Sequence, residues 1–279
     1  MKISMETCIL RDRFDDAAAV KMIKQAGFDC YDYSMYWAQG EKDMLGDDYS
    51  ERAKKLRKIA DDLDITCNQA HAPFDLLYND AFDLENERYL RVVRSLEVAS
   101  ILGAKTVVIH VLKNNIPEDM DFYDLNREFL WSLLPYCKKF GIHISVENLF
   151  NWNEKALPIL EDPTEHMSFV KSLNSEYFNI CIDVGHSAIT GYKPEEVIEA
   201  MNGDILCALH IHDNDQYSDG HMLPFTGSLD WEKIKAALKK IDYKGELTME
   251  LTGYQRKLPS ELLQSAVTYA AAVARYLAS

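Results

Sequence analysis

Short apolar runs and longer amphipathic stretches alternate along this chain from end to end. The apolar runs fall at Lys2–Cys8, Phe28–Ser34, Ile65–Ala70, Ala104–His110, His143–Asn148, Asn179–Val184, Ile205–Ile211 and Glu246–Leu251. Apolar residues recur at helical spacing over Asp15–Ala26, Tyr49–Leu63, Glu85–Leu102, Leu125–Phe140, Pro163–Leu173, Pro194–Met201, Trp231–Ile241 and Pro259–Leu277. A strand of about 4–8 residues followed by a longer helix is the pattern of a βαβ unit. Eight such units with no strand left over predict an α/β fold, a parallel eight-stranded closed (β/α)8 barrel rather than an open doubly wound sheet.

The punctuation between runs agrees. Gly27, Gly103, Gly141 and Gly245 each stand just before a strand, where a helix C-cap belongs. Pro163 and Pro194 stand at first helical positions. At 279 residues the chain suits a barrel of about 250 residues. No linker or composition break divides it, so one domain over 1–279 is expected, with longer loops at 36–48, 112–124 and 213–228.

Lys and Arg total 30 against 45 Asp and Glu, a net charge of −15. That balance repels phosphate backbones and argues against a nucleic-acid partner. No apolar stretch approaches the roughly 20 residues that span a bilayer. Glu6 interrupts the N-terminal segment where a secretory apolar core would lie, which points to the cytoplasm. The six cysteines form no Cys-x-x-Cys pair and read as buried free thiols.

Carboxylates and imidazoles collect at the C-terminal ends of the predicted strands: Glu6, His71, His110, Glu147, Asp183 with His186, His210 with His212, and Glu250. Strand residues two apart share a face. Ser145, Cys181 and Thr248 thus lie beneath Glu147, Asp183 and Glu250, and His210 shares a face with His212. A barrel assembles its active site at that mouth. Glu147, Asp183, His210 and Glu250 are therefore expected to converge as three carboxylates and one imidazole, a set suited to Mn²⁺, Mg²⁺, Co²⁺ or Zn²⁺. A turn after Asp183 can swing His186 over the mouth. His143 begins a strand and His166 lies within a helix, so both read as surface or structural residues.

In its segments His71-Ala72-Pro73, Val108-Ile109-His110, Val146-Glu147-Asn148, Asp183-Val184-Gly185-His186, His210-Ile211-His212-Asp213-Asn214 and Met249-Glu250-Leu251, the chain resembles the xylose isomerase-like TIM barrels. That group includes sugar isomerases, ketose epimerases, inosose dehydratase-type proteins and endonuclease IV. The resemblance implies one divalent ion, Mn²⁺ in first place, on Glu147, Asp183, His210 and Glu250, and no organic cofactor. It implies a sugar or sugar phosphate as substrate, with Glu147 and Glu250 exchanging a proton beside a carbonyl polarised by the ion, through an enediolate. His71, His110, His186, His212, Trp37 and Arg256 are the candidate substrate contacts. Endonuclease IV-like members instead use three zinc ions on abasic DNA. His71, His110, His186, Asp219 and His221 resemble their extra ligands. Two positions depart from the sugar-directed members: Gln216 stands where the ketose epimerases carry an Arg, and no Lys accompanies Asp183. A homo-oligomer would fit the group.

Overall fold

Each apolar run becomes a buried strand because both faces of a parallel sheet are covered, by helices outside and side chains within. The strands are β1 (Ile3–Glu6), β2 (Cys30–Ser34), β3 (Thr66–His71), β4 (Thr106–Ile109), β5 (His143–Glu147), β6 (Phe178–Asp183), β7 (Leu206–His210) and β8 (Leu247–Met249). The computed structural model describes residues 1–36, 43–74, 83–113, 116, 119–151, 160–201 and 205–279. The sheet runs β7-β6-β5-β4-β3-β2-β1-β8, every pair parallel. At the ring's closure Ile211, one residue past β7, bridges to Met249 of β8: Ile211 N–H donates to the Thr248 carbonyl at 2.8 Å and Glu250 N–H to the Ile211 carbonyl at 3.1 Å. The chain is thus a (β/α)8 barrel, as the alternation predicts.

The helices are α1 (Cys8–Arg13), α2 (Asp16–Ala26), α3 (Tyr49–Asp62), α4 (Glu87–Leu102), α5 (Phe122–Phe140), α6 (Pro163–Ser172), α7 (Val184–Ile189), α8 (Pro194–Ala200), α9 (Trp231–Lys240), α10 (Thr252–Arg256) and α11 (Ser260–Ala278). Three of these, α1, α7 and α10, have no counterpart in the hydrophobic pattern, because five or six residues are too few to express a 3.6-residue period. Gly27, Gly103 and Gly141 end α2, α4 and α5 in the left-handed conformation expected of a C-cap. Gly245 does not: α9 stops at Lys240 and Asp242 takes the positive φ instead. Gly245 is small for another reason, since a Cβ there would lie 2.2 Å from the Tyr243 hydroxyl.

Below the mouth the interior is filled by small groups. Ser145, Cys181 and Thr248 are fully buried beneath their acids. Ser145 shares a 2.8 Å hydrogen bond with Thr106, and the Thr248 hydroxyl donates to Gln69 at 3.2 Å. Their small volume lets the larger side chains one layer above lean inward. His166, in α6, is buried and donates from Nε2 to the Val146 carbonyl at 3.0 Å, bracing β5 from outside. All six cysteines are free, and no described helix is long and apolar enough to cross a membrane.

Candidate metal centre and active site

Consecutive strand ends deliver the four central side chains. Glu147 closes β5, Asp183 closes β6, His210 closes β7 and Glu250 follows β8; all are buried. Nδ1 of His210 lies 3.0 Å from Glu147 Oε1, 3.1 Å from Glu250 Oε2 and 3.9 Å from Asp183 Oδ2. One ligand atom from each of the four falls within 4.8 Å of the others.

Two further groups adjoin this one. His71 at the end of β3 and His110 just past β4 bring Nε2 to Oε2 of Glu147, at 3.2 and 2.9 Å. On the other side His212 places Nε2 3.0 Å from Asp183 Oδ1, His221 places Nε2 3.1 Å from Asp219 Oδ2, and His186 lies 3.8 Å from Asp219 Oδ1. His71, His110 and Glu147 form one compact group of potential ligands, and His186, His212, Asp219 and His221 another. His186 arrives there because Asp183 caps α7, accepting the His186 N–H at 2.7 Å. The loop holding Asp219 and His221 is pinned by Asp213, which accepts from the N–H groups of Gly227 and Leu229 and from the Trp231 indole. Parity puts His210 and His212 on one face; the structure gives them different carboxylates, His210 reaching past β6 to Glu147 on β5 and His212 meeting Asp183 on β6.

The imidazole hydrogen bonds test whether these groups fit a cation. A backbone carbonyl can only accept, so a ring nitrogen beside one carries the hydrogen. Nδ1 of His71, His186, His212 and His221 each faces such a carbonyl, of Ala72 (2.8 Å), Asn148 (2.9 Å), Asp213 (3.3 Å) and Glu250 (3.2 Å). Each Nε2 is therefore presented to carboxylate oxygens, which are also acceptors. Two facing acceptors require a proton or a cation between them, and anchoring the far nitrogen to a carbonyl is how proteins orient a metal-binding His. His210 is the reverse case: Nδ1 faces the acids, while Nε2 lies 3.7 Å from Asp32 Oδ2 and has no hydrogen-bond partner among the described residues. The donor set fits divalent cations.

Electrostatics point the same way. Burial disfavours a charged His186, but Asp183 and Asp219 outweigh it and carry the imidazolium up to about 10. His210 and His221 are likewise raised against burial, His210 chiefly by Cys181, Glu250 and Glu147 and His221 by Glu250 and Asp219. Glu147 and Asp183 stay well below the usual carboxylate range, because the imidazoles overcome their burial. His110 goes the other way: burial pushes it down to about 4.

Above the centre opens a cleft of about 390 Å³ whose lining includes His110, His186, His221, Glu147, Asp219 and Glu250. Lys113 and Arg256 line it too, while Tyr36 and Phe74 stack at 4.6 Å along one wall. His71 and His212 are fully buried and do not line it. Trp37 lies outside the described residues. Gln216 sits on the exposed side of its loop, with Nε2 3.4 Å from the Ser228 carbonyl.

Two residues of the site, Asp32 and Tyr36, escape a reading of the sequence, as does the role of a third, Glu6. Asp32 is hidden in the apolar run of β2, where a buried acid is itself the signal. Tyr36 has no motif; its hydroxyl lies 2.7 Å from Glu6 Oε2 and 3.0 Å from Glu250 Oε1. Glu6 gains its role only through Tyr36. A phenol has one proton to donate, so of two carboxylates flanking it one must carry its own. Burial and the charge of Glu250 push Glu6 up to about 8, making it that one.

Comparison with known proteins places the chain in a family. Residues 20–276 match the xylose isomerase-like TIM barrel family, and the chain belongs to it. The chain is 32% identical over 190 residues to MJ1311, an uncharacterised protein of Methanocaldococcus jannaschii, covering 64% of this chain and 62% of that one. It spans half to about three-fifths of the curated relatives it matches. Among solved structures, a D-tagatose 3-epimerase-like protein superposes with TM-score 0.74 at 20% identity over 100% of both chains. A D-psicose 3-epimerase, solved in the presence of D-fructose, superposes with TM-score 0.76 at 16% identity over 99% of both. At such identities these likenesses bear on the fold.

Proposed function

We infer that this protein is a divalent-metal-dependent isomerase or epimerase of a small carbohydrate, working by proton transfer beside a carbonyl. The observation that carries the reading is the pair of buried carboxylates, Glu147 and Glu250, flanking His210 at 3.0 and 3.1 Å on the floor of an open cleft. Glu147, Asp183, His210 and Glu250 would hold one ion, Mn²⁺ before Zn²⁺, Co²⁺ or Mg²⁺. When bound, such an ion polarises the substrate carbonyl and makes the neighbouring C–H acidic. Glu147, kept ionised by the imidazoles around it, accepts the proton from one side. Glu250 would deliver a different proton from the other side, drawn from the protonated Glu6 through the Tyr36 hydroxyl that lies between them, while the proton on Glu147 leaves to solvent in the cleft. Positioned acid–base groups of this kind contribute about 10²–10⁴-fold.

His110 and His186 line the cleft and would contact substrate hydroxyls. His71 and His212, closed off from the cleft, would act through Glu147 and Asp183. The sugar epimerases among the structural neighbours support this chemistry. Six free thiols suit a reducing cytoplasm. The test is exchange of a carbon-bound substrate hydrogen with solvent deuterium, over a panel of ketoses, inososes and their phosphates, with metal supplied. Metal-dependent exchange that disappears in Glu147→Gln is expected; silence across the whole panel would refute the reading.

One observation favours a second reading. The two outer ligand groups adjoin the central one, and together they could hold additional ions for phosphodiester hydrolysis, as on abasic DNA. The net charge of −15 opposes a DNA partner. Elemental analysis decides between them: one ion per chain with no cleavage of an abasic duplex leaves the carbohydrate reading, whereas three zinc ions with cleavage replaces it.

A further inference from the structure

We propose that the substrate carries an anionic group, a phosphate or a carboxylate, which Lys113 and Arg256 engage at the rim of the cleft. This rests on the carbohydrate reading above and narrows it from sugars in general to acidic ones. Lys113 follows β4 and Arg256 ends α10 after β8. Those strands are four apart in the ring of eight, so the two cations extend over one cavity from opposite walls.

Neither cation is there to serve the protein's own acids. Elsewhere the chain pairs its bases freely, as in Arg57–Asp61, Lys240–Glu199 and Arg275–Asp29. With 45 acids for 30 bases, an unpaired cation is not for want of partners. Yet Lys113 and Arg256 have no ion-pair partner among the described residues, and the acids lining the cleft are otherwise engaged. Glu147 lies 2.9 Å from His110, Asp219 lies 3.1 Å from His221, and Glu250 accepts from Tyr36. Lys113 is half-buried, and burial alone pulls its pKa down, with no neighbouring charge to offset the loss of water. A lysine drawn into a cavity without a counter-charge is a cost that a ligand anion removes. The Arg256 carbonyl accepts from Arg13 at 3.1 Å, which anchors the end of α10 and adds a third positive charge nearby. The cleft thus has a cation-binding floor and a cationic rim. A substrate that chelates through oxygens at one end and carries a negative charge at the other matches both.

The experiment measures binding to the metal-loaded protein by calorimetry with a neutral ketose, its phosphate ester and the matching uronate. We expect one of the two anionic sugars to bind at least about tenfold more tightly than the neutral one, a charge-assisted contact being worth that much. The phosphate and carboxylate arms tell which anion is meant. Lys113→Met and Arg256→Met should each lose about tenfold for that ligand and leave the neutral ketose unchanged, with Arg256→Lys falling between. Equal or tighter binding of the neutral ketose overturns the proposal, as does an unchanged anion affinity in the double variant. An abasic duplex bound more tightly than every sugar, and released by the double variant, would overturn the assignment to acidic sugars. Solvent deuterium exchange run alongside reports on the functional reading separately. Exchange confined to neutral ketoses keeps that reading and overturns this one. Anion binding lost in the double variant, with no exchange on any sugar, keeps the anion site and overturns the reading it rests on.

Discussion

Replacing Glu6 by Gln tests the electrostatics of the site without touching a candidate ligand. In the folded protein burial, then the charge of Glu250, raise the Glu6 carboxyl from 4.5 to about 8. Between those values the folded state holds a proton that the unfolded chain has released, so stability falls with rising pH by about 1.36 kcal/mol per unit. The contribution is fully present below 4.5, declines through neutrality and is lost by about pH 8. Over that interval it amounts to roughly 4–5 kcal/mol, a large share of a typical stability of about 5–15 kcal/mol. Gln keeps the shape and can donate to Tyr36 but cannot ionise. Urea unfolding of parent and Glu6→Gln in the presence of a chelator, at several pH values between about 5 and 8, should therefore give curves that diverge, the parent losing stability relative to the variant. Adding a divalent ion should reduce the divergence, because an ion on Glu250 offsets the charge that raises Glu6. Parallel parent and variant curves across the range would refute the assignment of the proton to Glu6.

Asp32→Asn should weaken metal binding by about 10–100-fold while leaving the fold intact, since Asp32 stands behind Nε2 of His210; competition against a chromophoric chelator reads this, and an unchanged affinity counts against it. Gly185→Ala should displace the His212 ring, because a Cβ there would lie 2.0 Å from Cε1, at a cost of about 1–3 kcal/mol. An unshifted melting point and unshifted His212 resonances would contradict that. Metal uptake should release protons, since His186, His210 and His221 all titrate above their ordinary value. Apparent affinity should thus fall as pH is lowered through neutrality, and calorimetry in buffers of different ionisation enthalpy giving no proton release would oppose the scheme.

The barrel is legible because its strands are apolar on both faces and bounded by capped helices: every expected strand boundary lies within two residues of the observed one. The convergence of Glu147, Asp183, His210 and Glu250 is legible for a related reason, as strand parity and a common mouth leave few other places for them. What parity cannot supply is the neighbour. It puts His210 and His212 on one face but not one beside Glu147 and the other beside Asp183, a division made by how far each ring leans. Glu6 looks isolated because its partner Tyr36 follows the next strand, and Lys113 belongs to no pattern at all. Contacts between loops depend on packing, which periodicity does not carry.

The division of the imidazoles bears on how many ions the protein takes. Rings that touch substrate must line the cleft, which His110 and His186 do. His71 and His212 are sealed off, each Nδ1 tied to a carbonyl and each Nε2 facing a carboxylate already shared with the central group. With one ion on the central four, each of these Nε2 atoms donates a hydrogen to Glu147 or Asp183, and the two rings brace those carboxylates. With ions in the outer groups as well, the same nitrogens offer lone pairs and the braces become ligands. The carbonyl anchors serve either state without moving a side chain. The two states differ in the protons displaced when metal enters. Stoichiometry and proton release must therefore rise together: a single ion leaves His71 and His212 holding their hydrogens, and each further ion must remove them.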